Sequence, residues 1–131
     1  MIDYIDIPKH IINKIIENAL AEDLGSLGDI TSKSLSNKKT NIEASINSNQ
    51  DGVISGLDII ELVFKNIDAN TNVTNHLSDC DEVKNGTEIA RVIGDSHSIL
   101  AAERVALNFL GHMSGIASET NKYVKSIANT K

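Results

Sequence analysis

The sequence has no tryptophan, one cysteine, one proline and an aromatic content of only 3%. So few rings exclude the stacking platforms that bind bases or sugars, and they leave a core built on Ile, Leu, Val and Ala. The lone Cys80 excludes an internal disulfide framework and a cysteine-based zinc site, and it fits a reducing compartment. Positive charge is also scarce, with 12 basic residues against 18 acidic ones and a net charge of -6. A nucleic-acid surface needs a basic stripe to displace counterions, and docking on anionic membranes needs basic clusters, so neither partner is expected. No apolar run approaches the roughly 18–20 residues of a membrane span. The N-terminal MIDYIDIPKH lacks the basic-then-apolar layout of a secretory signal. A cytoplasmic location is the expectation.

What is present suits one globular domain. The length is 131 residues, with 40% hydrophobic and 23% charged. Ile11, Ile12, Ile15, Ile16, Ala19 and Leu20 recur at helical spacing. Pro8 suits the first turn of that helix and Gly25 its C-terminal cap. After the polar loop GSLGDITS, the alternation of Ile42, Ala44 and Ile46 predicts a half-buried strand. Asp51-Gly52 signals a turn, and 52–56 reads as a short strand or a strand ending at a helix start. Ile59, Ile60, Val63, Phe64 and Ile67 form the stripe of a second helix. A third strand falls within Thr71–Leu77. Asn85-Gly86 reads as a hairpin-like turn before a strand at about 88–93, and Gly94-Asp95 as another turn. From about Leu100 to Ile127 the line Val105, Phe109, Met113, Ile116 predicts helix. Gly111, Ser114 and Gly115 predict a break or kink in it. Helices alternating with segregated strands indicate an α+β fold.

Arg104 is the most informative residue. It shares a helical stripe with Asn108, Gly111 and Gly115, at steps of four, three and four. An arginine beside small residues can reach across a close-packed surface towards an anion. Guanidinium grips carboxylate or phosphate with two parallel hydrogen bonds. The alternative is an ion pair with Glu103 or with a distant acid. Glu22, Asp23 and Asp29 surround the glycine loop. They could orient a base, bind a metal or cap the turn, and capping is favoured because Asp and Thr bond readily to nearby backbone. Gly25 and Gly28 do not make a phosphate loop, since no Gly-Lys-Ser/Thr follows. Asp79, Asp81 and Glu82 lack calcium-loop spacing and read as a solvated turn. His10, His76, His97 and His112 are scattered, and Cys80 has no basic neighbour in sequence to activate it. There is no Gly-x-Ser-x-Gly elbow. The residues alone thus indicate a small α+β domain with an anion-seeking arginine and no complete active site.

Three segments together resemble the N-terminal domain of the quinolinate phosphoribosyltransferases (nicotinate-nucleotide pyrophosphorylases, carboxylating). They are ALAEDLGSLGDITS at 19–32, DGVISGLDIIELVF at 51–64 and, most specific, LAAERVALNFLGHMSGIASETNKYV at 100–124. The stretch DEVKNGTEIARVIGDSHSIL also fits that family. The resemblance implies a hammerhead-like antiparallel sheet with flanking helices, followed in the family by a C-terminal α/β barrel. Residues 1–131 then correspond to the N-terminal domain, with 100–131 as the helical link towards the barrel. The family's Asp-Thr-Arg-Lys-Thr strand and its phosphate-binding residues are absent, so the chain is expected to be an N-terminal fragment without turnover of its own.

In the resembling family, phosphoribosyl passes from phosphoribosyl pyrophosphate to quinolinate, with pyrophosphate and carbon dioxide released and nicotinate mononucleotide formed for NAD synthesis. Magnesium accompanies the pyrophosphate, and none is expected on residues 1–131. The resemblance places the family's quinolinate-gripping arginine on Arg104, reaching into the neighbouring subunit's site, and implies a homodimer. It implies no catalytic residue and no metal ligand within these residues. Val105 departs from the family's usual threonine, which removes a hydroxyl beside the arginine. The molybdenum-transport-associated homologues share this region and are an alternative. A second alternative is a stand-alone carrier module, because VKNGTEIARVIG is similar to lipoyl and biotinyl hairpins, with Lys84 at the tip. The flanking motif of those modified lysines is missing.

Overall fold

The first apolar stripe folds as helix α1 (Lys9–Asp23) in the computed structural model, which describes residues 6–25 and 40–130. Pro8 is the N-cap, and its carbonyl accepts from the N–H groups of Ile11 and Ile12. Proline suits that place because it has no amide hydrogen of its own to satisfy. Ile16 and Leu20 are buried, and Ile11 and Ile15 stay exposed. Gly25 follows the cap residue Leu24 without adopting a left-handed conformation. The calls on Gly28 and Asp29 lie outside the described residues.

Strand β1 (Asn41–Asn47) alternates as its sequence predicts, with Ile42, Ala44 and Ile46 turned inward. β2 (Gly52–Val53) is short and leads through Gly56 into helix α2 (Leu57–Ile67). Gly56 has φ 105°, which a side chain would strain, and an added Cβ would lie 2.9 Å from the Met113 sulfur. Glycine is therefore required there twice over. α2 buries Leu57, Ile60, Val63 and Phe64. β3 (Asn72–Asn75), β4 (Glu82–Val83) and β5 (Glu88–Asp95) follow. Helix α3 (Ser96–Ala128) completes the described chain.

The strands form two antiparallel sheets, one ordered β1-β5-β3 and one pairing β2 with β4. In the larger sheet Ala44 lies opposite Val92, and Val92 opposite Val73. This register puts the apolar sets of all three strands on one face. The helices cover that face, and Ile16, Ile60, Val63, Val92, Ala102 and Ala106 are among the residues closed off at the centre. The fold is α+β, with antiparallel sheets and flanking helices, as the sequence predicts. Among the described residues there is no α/β barrel, and no helix is long and apolar enough to cross a membrane.

Three local expectations are corrected. The Asn85-Gly86 turn forms, with Gly86 at φ 89° and the Thr87 N–H donating to the Lys84 carbonyl at 3.1 Å. It closes no hairpin, because β4 pairs with β2 while β5 pairs with β1 and β3. Gly94-Asp95 is not a turn. Gly94 pairs with Ile42 inside β5, and Asp95 is at once the last strand residue and the N-cap of α3, accepting from the Ser98 N–H at 3.0 Å. The chain thus passes from strand to helix with no linker.

The third correction concerns the break expected in α3, which instead runs as one helix through Gly111, Ser114 and Gly115. Each glycine costs about 1 kcal/mol in helix propensity, and the buried Val105, Ala106 and Leu110 offset that by packing. Ser114 and Ser118 face the β2 segment. Their hydroxyls accept from the N–H groups of Ser55 at 3.0 Å and Val53 at 2.9 Å, supplying partners to a strand end that has few.

Candidate functional site

Arg104 stands on the outer side of α3, two turns after its N-cap. Its neighbours Ala102, Val105 and Ala106 are buried and fix the helix beneath it. The side chain itself is 78% exposed. Asn108 and Gly111 are exposed along the same stripe, and Gly115 is half-buried. No Cβ-sized obstacle lies over either glycine. The stripe read from the sequence is therefore an open strip of helix with a guanidinium at its head.

Arg104 does find a distant acid. Nη1 donates to Oδ1 of Asp23, across 81 residues, at 3.4 Å. Glu103 is not its partner. A single long contact to a mostly exposed cation holds little, about 0–1 kcal/mol. Among the described residues Nε and Nη2 of Arg104 have no hydrogen-bond partner. The edge that grips a planar anion side-on is free. Further along α3, about 10 Å on at the helical rise, Gly111, Gly115, Ile116, Glu119 and Tyr123 line a shallow groove of about 530 Å³. Leu100, Leu107, Ile116, Tyr123 and Ile127 add exposed apolar area to the same helix.

The other candidates resolve as follows. Glu22 is exposed at the end of α1, and Asp23 caps no turn among the described residues but meets Arg104. His76 Nε2 lies 2.9 Å from Glu88, and Arg91 bridges Glu88 and Glu43 across the outer sheet face. The hydrogen bonds from Arg91 hold the Glu88 carboxyl below its ordinary range. Hydrogen bonds from Lys125 and Asn121 do the same for Glu82. His10 and His112 are exposed, and the half-buried His97 has no partner for Nε2 among the described residues. Cys80 is free and exposed, in a turn with φ 78°. Lys84 is exposed and lies 3.6 Å from Asp51, on a turn that closes no hairpin, unlike the tip of a carrier domain. Among the described residues no three His, Cys, Asp or Glu side chains converge to hold a metal.

Asp79 has a role its sequence neighbourhood hides. Its carboxylate accepts from the N–H groups of Gly56 and Leu57 at 3.1 Å and so caps α2 from 22 residues away. The signal was indirect: the N-cap of α2 is Gly56, which has no side chain to bond the first-turn N–H groups. Asp81 does the turn work expected of the acidic knot, accepting from the Ser78 N–H at 2.8 Å. Asp79→Ala is expected to cost about 1–2 kcal/mol in urea unfolding, with Asp79→Asn in between. An unchanged midpoint would mean that water replaces the carboxylate.

The profile of the family described as "Quinolinate phosphoribosyl transferase, N-terminal domain" matches residues 29–114. Quinolinate phosphoribosyltransferase [decarboxylating] 1 from Nicotiana glauca is 38% identical over 113 residues, covering 86% of this chain and 32% of the relative. The probable nicotinate-nucleotide pyrophosphorylase [carboxylating] of Bacillus subtilis (strain 168) is 33% identical over 116 residues, covering 88% of this chain and 39% of the relative. Among solved structures, NadC from Streptococcus pyogenes superposes with a TM-score of 0.88 at 32% identity, covering 95% of this chain and 45% of that one. The chain therefore spans about a third of the length of the curated relatives it matches.

Proposed function

The chain belongs to the quinolinate phosphoribosyl transferase N-terminal domain family, and on that premise we infer that it is the substrate-gripping domain of an enzyme transferring phosphoribosyl from phosphoribosyl pyrophosphate to quinolinate. The products are nicotinate mononucleotide, pyrophosphate and carbon dioxide, in NAD synthesis. The names of the relatives, quinolinate phosphoribosyltransferase and nicotinate-nucleotide pyrophosphorylase, support this reading.

The observation that carries it is the free edge of Arg104. Quinolinate is a dicarboxylate and its co-substrate a pyrophosphate, so the reaction needs fixed cations that hold acids without donating a negative group. A guanidinium on a rigid helix, with Nε and Nη2 unpaired among the described residues, meets that need. With it goes the reading, taken from the family resemblance, that Arg104 reaches into the neighbouring subunit's pocket in a homodimer; its 78% exposure and the exposed apolar side chains of α3 support it. The part of α3 from residue 100 onward serves as the link towards the remaining two thirds of such an enzyme. Magnesium enters as the companion of phosphoribosyl pyrophosphate, and no step of the proposal runs through it.

The complete gene product is expected to form nicotinate mononucleotide only when quinolinate and phosphoribosyl pyrophosphate are both present, releasing one carbon dioxide per turnover. Residues 1–131 alone are expected to give no turnover. Product formation by the isolated 131 residues, or none by the complete product with these two substrates, would overturn the reading.

A further inference from the structure

Asp23 is an odd acid for its position. It lies in the last turn of α1, where the helix dipole disfavours negative charge, and that turn holds no basic residue to offset it. Leu20, one turn earlier on the same face, is buried against the core and seats Asp23 beside α3. The acid is thus the fixed partner, with its side chain only 20% exposed, and the arginine the adjustable one at 78%. The contact itself is one-sided. Asp23 takes Nη1 and leaves the Nε–Nη2 edge alone. A bidentate acid would instead occupy that edge with two parallel bonds.

We propose that Asp23 is the positioning residue of Arg104. It tethers Nη1 and so leaves the Nε–Nη2 edge free for a pyridine carboxylate. The inference rests on the reading of Arg104 as the quinolinate grip and adds the group that aims it. Without the tether the long side chain samples more rotamers, and the incoming acid must order it on arrival.

The test is steady-state kinetics of the complete gene product carrying Asp23→Asn, Asp23→Glu, Arg104→Ala and the Asp23→Asn/Arg104→Ala pair. Asp23→Asn is expected to raise KM for quinolinate about twofold to fivefold while leaving kcat, KM for phosphoribosyl pyrophosphate and the melting temperature nearly unchanged. Asp23→Glu, which keeps the charge, loses less. In the pair, Asp23→Asn adds nothing to Arg104→Ala, since the residue it aims is gone. An unchanged KM in Asp23→Asn, or an effect fully additive with Arg104→Ala, overturns the proposal. So does a lowered KM, which would make Asp23 a competitor of the substrate. If Arg104→Ala itself leaves KM for quinolinate unchanged, the reading of the arginine fails first, and the two failures are told apart.

Discussion

Arg104→Ala in the complete gene product is expected to lower kcat/KM for quinolinate by about a hundredfold to a thousandfold, with KM for phosphoribosyl pyrophosphate little changed. The loss corresponds to about 3–4 kcal/mol, the range for removing one member of a desolvated, bidentate charge pair and leaving the other unpaired. Stability should not move, because Arg104 is 78% exposed and its one contact is long. That separation makes the variant informative: activity falls while the melting curve stays in place. Arg104→Lys keeps the charge but not the planar fork, so it should recover only a small part of the loss. A decline of less than about threefold in kcat/KM would leave α3 a structural helix and Arg104 a solvated surface charge.

The exposed strip that carries Arg104 was legible in the sequence because the small residues beside it repeat at helical steps. The arginine's acid was not. Asp23 lies 81 residues away, and the sequence placed it with Glu22 and Asp29 as a loop-capping group. A partner at that distance exists only once α1 and α3 are packed together. Asp79 was hidden for the same reason, since its capping bonds reach back 22 residues to α2. Local side-chain-to-backbone rules see three or four residues, and both acids act beyond that range.

The fold was read best where one face of an element is buried. The alternation in β1 and the stripes of α1 and α2 reappear as inward-facing sets. The errors lie where glycine was taken as punctuation. Gly94 is a strand residue because its missing side chain makes room for Thr71, whose hydroxyl would lie 3.2 Å from an added Cβ. Gly111 and Gly115 sit inside a helix whose other face is held by Val105, Ala106, Leu110 and the two serine hydroxyls. Packing outweighed propensity in both places. Strand pairing was the other error, because a turn signal states that the chain reverses and not which strands become neighbours.

Ile60→Ala should be the most destabilising of the substitutions considered, by about 2–5 kcal/mol. Ile60 is 0% exposed in the middle of α2, in the cluster shared by α1, α2, α3 and the sheet. Truncation removes three carbon atoms from a packed site. Its neighbours Val63 and Phe64 lie on a helix that Asp79 caps and Gly56 fixes at its start, so they can relax only partly. For a chain of this length the cost corresponds to a fall of about 8–20 °C in the melting temperature. Ile116→Ala provides the contrast: the residue is 58% exposed on α3, and the change should stay within about 0.5 kcal/mol in the isolated 131 residues. The functional consequence follows from geometry. Helix α2 backs α3, and α3 carries Arg104, so on the proposed function Ile60→Ala in the complete gene product should lose quinolinate turnover in parallel with folded population as temperature rises, whereas Arg104→Ala should lose it at every temperature. If Ile60→Ala melted with the wild type, the helical layer would lie outside the cooperative core, and Arg104 would have no rigid mount from which to reach a neighbouring site.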